Sequence, residues 1–181
     1  MKKIFGSLVV GMFFLTNLTL GQTSPSVFKE LKFGEKNLGG PRLGVTSVIG
    51  NGQLVYDLKQ KHIGRFISQF GWHFEYQVQP EGDRPSFVIQ FVPLVAGVEY
   101  GYLVPSASLA MGIRLPSGFE FGMGPNAIVT PTKISTALVV AGGYVLDYGG
   151  VLIPLNIALA TNQDGNRLSF VFGYSITKSS K

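Results

Sequence analysis

From Pro41 to Thr177, segment after segment alternates between apolar and polar or small side chains with a period of two. The alternation is plainest between Ser106 and Asn126. Ala107, Leu109, Met111, Ile113 and Leu115 share one parity, while Ser106, Ser108, Ala110, Gly112 and Arg114 share the other. After Pro116-Ser117-Gly118 it resumes with Phe119, Phe121 and Met123 against Glu120, Gly122, Gly124 and Asn126. Period two with a Pro/Gly turn predicts a β-hairpin. A three-residue loop over 116–118 pairs Leu115 with Phe119, Arg114 with Glu120, Gly112 with Gly122 and Ala110 with Gly124. A two-residue loop would set Arg114 against Phe119 and mix the faces, so the pattern itself selects the register. Arg114 and Glu120 then lie side by side on the small-residue face, a cross-strand pair of roughly 0.2–1 kcal/mol.

The same reading extends to both sides of this hairpin. In 41–50, Leu43, Val45 and Ile49 oppose Arg42, Gly44, Thr46 and Val48. In 66–79, Phe66, Phe70, Trp72, Phe74, Tyr76 and Val78 form an aromatic face interrupted by Ser68, against Ile67, Gln69, Gly71, His73, Glu75 and Gln77. The stretch 86–98 is apolar on both parities, so its facing is open, and Pro93 predicts a bulge or a break in the ladder. Strands follow at 106–115, 119–126, 134–147, 150–161 and 167–177. In the last, Leu168, Phe170, Phe172, Tyr174 and Ile176 oppose Ser169, Val171, Gly173, Ser175 and Thr177. A turn at Tyr148-Gly149 is expected to pair Leu146 with Val151. Between the first two strands, Leu54, Val55, Leu58 and His62 recur at helical spacing, which predicts one short amphipathic helix within 53–63.

Composition changes the picture in one respect. The chain has 181 residues, 45% hydrophobic but only 14% charged, where soluble domains carry about 25% charge. Either the core is unusually large, or part of the apolar surface meets something other than water. Cys is absent, which excludes disulfides, thiolate metal sites and thiol nucleophiles. Residues 1–21 read as a cleaved signal peptide: Lys2-Lys3, an apolar run from Ile4, and small residues at Thr19-Leu20-Gly21. Residues 22–39 read as a polar periplasmic leader, 40–177 as the barrel and 178–181 as a tail. Losing Lys2 and Lys3 lowers Lys+Arg from 15 to 13 against 10 Asp+Glu, a net charge of +3, too weak and scattered for nucleic acid.

Eight strands with one apolar and one small or polar face predict an all-β fold. We expect an eight-stranded antiparallel up-and-down transmembrane β-barrel, greasy outside, with one short helix between strands 1 and 2. An even strand number brings both ends to one side. Turns 80–85, 116–118 and 148–149 then lie on the side of the termini, and the longer loops 51–65, 99–105, 127–133 and 162–166 on the other. This arrangement resembles the small eight-stranded outer-membrane barrels of Gram-negative bacteria. The segments Phe66-Ile67-Ser68-Gln69-Phe70-Gly71-Trp72 and Gly118 to Asn126 look like those of uncharacterised barrel proteins common in Bacteroidetes. The resemblance implies an outer-membrane location and contact with outer-membrane lipid and with the barrel-assembly machinery. Separately, loops 51–65, 99–105 and 127–133 are the expected surface for a protein partner. It transfers no catalytic residue. Many such barrels end on an aromatic residue, whereas here Tyr174 and Ile176 are followed by Thr177-Lys178-Ser179-Ser180-Lys181.

The candidate chemistry lies on the inner parity. His73 and Glu75 stand two apart on one strand and face the same way, beside Gln69 and Gln77. A His with a carboxylate can serve as a general base, and a lipid-modifying outer-membrane enzyme would need such a pair. A hydrogen-bonded lumen network needs the same residues for a structural reason, and it is the reading preferred here. Arg42, Gln69, His73, Glu75, Arg114 and Glu120 are its expected members, with Glu99 as a further candidate, and they double as candidate ligand contacts. No cofactor or metal is expected. Only His62 and His73 are available as imidazole ligands, and Asn162-Gln163-Asp164-Gly165-Asn166 lacks the spacing and distal Glu of a calcium loop. The functional expectation is a non-enzymatic outer-membrane barrel with a filled lumen. The alternatives are a secreted, lipocalin-like carrier of an apolar ligand, and the enzyme just described.

Overall fold

A computed structural model describes residues 38–80, 83–130 and 133–176. The signal-peptide expectation, most of the leader and the tail lie outside these residues. The strands are β1 (Gly40–Ile49), β2 (Phe66–Val78), β3 (Ser86–Ala96), β4 (Val104–Arg114), β5 (Phe119–Val129), β6 (Ile134–Tyr148), β7 (Val151–Asn162) and β8 (Gly165–Gly173). A two-residue continuation, β9 (Ser175–Ile176), keeps β8's register against β7. Each strand pairs antiparallel with its sequence neighbours, and β1 pairs with β8. The sheet is therefore a closed, eight-stranded, up-and-down barrel without free edges. Closure satisfies the edge hydrogen bonds that an open sheet would expose.

Parity decides the faces as the pattern requires. The Phe70, Trp72, Phe74 and Tyr76 rings of β2, Met111 and Ile113 of β4, Phe121 and Met123 of β5, and Phe170 and Phe172 of β8 all project from the outer wall and are exposed. Arg42, Thr46, Gln69, His73, Arg114, Glu120 and Asn126 point inward and are buried. The two-sided strand β3 is resolved by its neighbours. Phe87 and Phe91 turn outward beside Val78 and Phe74, and Val88 inward.

The β4–β5 hairpin has the expected register, Arg114 opposite Glu120 and Gly112 opposite Gly122. Its loop closes through Leu115 N–H to Phe119 O at 2.7 Å and Gly118 N–H to Leu115 O at 3.0 Å, with Gly118 at φ 93°. The β6–β7 hairpin corrects the expectation. Tyr148 pairs with Val151 and Leu146 with Ile153, so the turn is Gly149-Gly150 rather than Tyr148-Gly149. Both turn residues have positive φ, 62° and 88°, as a two-residue type I′ turn demands. A tyrosine at the first of those positions would be strained. The shift is two residues, so the faces survive.

Prolines mark the interruptions of the ladder. The β2–β3 pairing skips Trp72 and His73 opposite Val92 and Pro93, and the β4–β5 pairing skips Leu109 and Ala110 opposite Gly124 and Pro125. The β7 ladder skips Ile153 and Pro154 opposite Gly173 and Tyr174. In each case the register is the same on both sides of the gap, so these are breaks without a bulge. The missing proline N–H removes a ladder donor on one side only: Pro93 still pairs with Ala107, Pro125 with Leu138 and Pro154 with Val145.

The helix α1 (Gln53–Gln60) lies at the loop end, with Val55 and Leu58 packed on Val48, Leu54, Ile63 and Ile67. It stops one residue before Lys61, so His62 lies beyond it rather than on it. There His62 takes a left-handed backbone, φ 57°. His62 N–H bonds Lys59 O at 3.1 Å and Ile63 N–H bonds Leu58 O at 2.9 Å. With the Leu58–Ile63 contact this is a Schellman ending, normally a glycine position.

Candidate functional site

The inner parity builds a compact ionic cluster at the end of the barrel where β1 starts and β9 ends. Arg114 of β4 is its centre. Its Nη1 donates to Glu75 Oε1 at 2.7 Å and its Nη2 to Glu75 Oε2 at 2.6 Å, a bidentate pair from β4 to β2. Its Nε and Nη2 donate to Glu120 Oε2 at 3.0 and 2.6 Å, and Nη1 also reaches Gln77 Oε1 at 3.3 Å. Planar forks of this kind give the stronger, charge-assisted hydrogen bonds. Asn156 of β7 donates to Glu120 Oε1 at 2.6 Å, and Gln90 of β3 to Oε2 at 3.4 Å. Gln77 donates to Ser86 Oγ at 2.7 Å. Gly143 has no side chain where a Cβ would collide with the Asn156 amide, so the glycine opens the space through which Asn156 reaches Glu120.

Arg42 and His73 form the flank of this cluster. Arg42 Nη2 donates to Leu38 O at 2.5 Å and to His73 Nδ1 at 2.6 Å, and Nη1 to Pro41 O at 3.0 Å. A guanidinium can only donate, so Nδ1 of His73 is an acceptor and the ring's proton sits on Nε2. The 3.0 Å approach of Nδ1 to Leu38 O is then imposed by the shared arginine. Nε2 faces Glu75 Oε2 at 3.9 Å. Leu38, expected in the polar leader, is instead buried at 2% exposure and contributes its N–H to Glu75 Oε1 at 3.4 Å. The residues just before β1 thus fold into the barrel mouth and complete the cluster.

Five of the six expected site residues, Arg42, His73, Glu75, Arg114 and Glu120, meet here. Gln69 does not. It sits nearer the loops, where its Oε1 accepts from Thr46 Oγ1 at 2.9 Å, and Thr46 in turn shares a hydrogen bond with Ser169 at 2.7 Å. Glu99 lies elsewhere too, in a single 3-10 turn (Val98–Tyr100). It accepts from the Ser68 N–H and hydroxyl at 2.5 Å each. Desolvation pushes its carboxyl up, but the Ser68 donors together outweigh this and hold it below the ordinary glutamate value.

Above the cluster the lumen is not filled. A cavity of about 480 Å³ runs from Arg42, His73, Glu120 and Asn156 up to α1, Tyr102, Leu103, Lys133 and Asp164 at the loop end. Its middle walls carry small side chains such as Ser108, Ala141, Ala158 and Ser169. Arg167 of β8 lines it and was missed in the sequence reading, as were Gln90, Asn126 and Asn156. All four lie on the inner parity of their strands. For Arg167 the signal was there, two residues before Ser169 on that strand's small and polar face. Neither protein-family models, nor curated proteins, nor solved structures match this chain.

Proposed function

We propose that this chain is an integral outer-membrane β-barrel, non-enzymatic, acting by its fold and through its loops. The observation that carries this is the outer wall. Phe66, Phe70, Trp72, Phe74, Tyr76, Phe87, Phe91, Phe119, Phe121, Phe170 and Phe172 all stand on it and are exposed, while Arg42, Glu75, Arg114, Glu120 and Arg167 are turned inward. Soluble monomers rarely expose a continuous apolar surface beyond a few hundred Å², and lipid-facing strands alternate in this way. Strands of 9–15 residues suffice for a tilted crossing, which takes about 9–11. No helix among the described residues is long and apolar enough to cross a membrane; in this reading the barrel strands are the crossing elements. In this reading the chain is exported on a cleaved signal peptide, inserted by the barrel-assembly machinery and surrounded by outer-membrane lipid. The α1 loop and the 97–103 loop offer surfaces to a protein partner.

Geometry weighs against chemistry at His73. Its Nδ1 lone pair is taken by Arg42, and both Glu75 oxygens are taken by Arg114, so neither is free to accept a substrate proton. The cavity, by contrast, favours a second reading, a secreted carrier with its ligand in the lumen. That reading needs an exterior that meets water, and the ring belt speaks against it. Membrane fractionation separates the two. The mature chain should sediment with outer membranes, need detergent for extraction and migrate faster unboiled than boiled. A detergent-free soluble monomer would reverse the proposal in favour of the carrier.

A further inference from the structure

The terminal cluster is electrically balanced, with Arg42 and Arg114 set against Glu75 and Glu120. One lumenal cation stands outside that balance. Arg167 lies between Val48 of β1 and Ala160 of β7 and is 8% exposed. Its Nη2 crosses the lumen to donate to Asn126 Oδ1 on β5 at 3.1 Å. Among the described residues that is the only hydrogen bond of its guanidinium, and no carboxylate pairs with it. Asp164, the acidic residue closest in sequence, is held instead by Lys133 at 2.8 Å and Ser135 at 3.3 Å.

A guanidinium carries five N–H donors. Arg114 spends its donors on two carboxylates and Gln77. Arg167 leaves most of its own in the cavity it lines. Asp164 acts on this cation only through space. A buried ion with no carboxylate bonded to it is costly, and a carboxylate fits the free fork in planar, bidentate fashion. The walls around this cation are not those of a bare anion site. Leu54 and Leu58 of α1, Leu94 of β3, Tyr102 and Ile128 line the same space. Its volume of about 480 Å³ falls within the roughly 300–1,000 Å³ of small-molecule pockets.

We propose that the lumen binds a monocarboxylate with an apolar body, its carboxylate on Arg167 and its chain against α1 and the upper walls of β3 and β5. This holds whether the exterior meets lipid or water. The experiment titrates the purified full-length protein with octanoate, octanol and inorganic phosphate by calorimetry, and follows the Arg167 Nε–H resonance by NMR. Octanoate should bind saturably and shift that resonance, at least tenfold more tightly than octanol or phosphate. Arg167→Gln should weaken octanoate at least tenfold. Equal binding of octanol would reduce the site to an apolar pocket, and tighter binding of phosphate to a bare anion site. Either result overturns the proposal, as does no binding at all. If Arg167→Gln fails to fold by circular dichroism, the comparison of the three probes on the unaltered protein decides alone.

Discussion

At the scale of single residues, the energetics are set by which charges are paired. Removing Arg114 leaves Glu75 and Glu120 buried and facing each other. Arg114→Met should therefore cost about 3–5 kcal/mol, the usual loss when one partner of a buried ionic group is deleted. His73→Ala should cost far less, about 1 kcal/mol, because Arg42 keeps Leu38 O and Pro41 O. Urea unfolding of the two variants in lipid vesicles measures the difference, and near-equal losses would contradict the assignment of Arg114 as the centre. The Lys133–Asp164 pair gives a pH dependence. The Lys133 hydrogen bond and charge hold Asp164 below its ordinary value of 3.8. Asp164, with the bond and charge in turn, holds Lys133 above 10.5. A depressed carboxylate contributes stability that is present above its unfolded pKa and lost as pH falls through the folded one. A raised lysine contributes below its unfolded pKa and loses it as pH rises through the folded one. The clasp between Lys133 and the 162–165 turn should thus hold across neutral pH and loosen below about pH 4. Hydrogen exchange at the Asp164 and Gly165 amides, which bond Asn162 Oδ1 at 3.1 Å, should accelerate there.

At the scale of elements, positive φ matters at the end of α1 and in the β6–β7 turn. His62 closes α1 in a left-handed conformation that costs a non-glycine residue roughly 1–2 kcal/mol. His62→Gly should slow exchange of the α1 amides by about an order of magnitude, the equivalent of about 1 kcal/mol gained. The Gly149-Gly150 turn gives the opposite test. Gly149→Val should destabilise the β6–β7 hairpin by about 1–3 kcal/mol, whereas Gly149→Asn, which tolerates this conformation, should be close to neutral. An equal effect of Val and Asn in denaturant melts would mean that this turn does not need positive φ. The prolines belong to the same scale. Pro93, Pro125 and Pro154 each delete donors from one ladder while the register continues, so a closed barrel tolerates them where its neighbouring strand still pairs on the other side.

At the scale of the whole molecule, the barrel is an inside-out arrangement. The polar contacts are in the middle, and the outer wall is apolar around the full circumference. Met123 sits halfway along β5 and is 55% exposed. If that wall meets hydrocarbon, Met123→Arg should cost about 2–4 kcal/mol in vesicles, the range for a basic residue near the bilayer midplane. If the wall meets water, the same change should be neutral and improve solubility. One lumenal end is stoppered by an ionic cluster drawing on β1, β2, β3, β4, β5 and β7. The other opens among loops, so the molecule is a cup rather than a pore.

Strand existence, strand facing and the Arg114–Glu120 pairing were all legible along the chain, because side chains alternate with the strand's own geometry and a hairpin joins near neighbours. The inward position of Arg42, His73, Glu75, Arg114 and Glu120 follows from parity alone. What parity cannot state is depth in the barrel, or which inward side chains meet across it. Those depend on strand tilt, closure of β1 on β8 and turns such as Gly149-Gly150, whose register two glycines leave open to more than one reading. Only the closed tertiary structure joined Arg114 to Glu75, 39 positions apart. Only it took Glu99 and Gln69 out of the cluster, brought Leu38 in, and left Arg167 bonded to Asn126 with no carboxylate on its guanidinium. The physical reason is one: alternation is a property of the local backbone, whereas charge pairing in a lumen is decided by contacts between strands far apart in the chain.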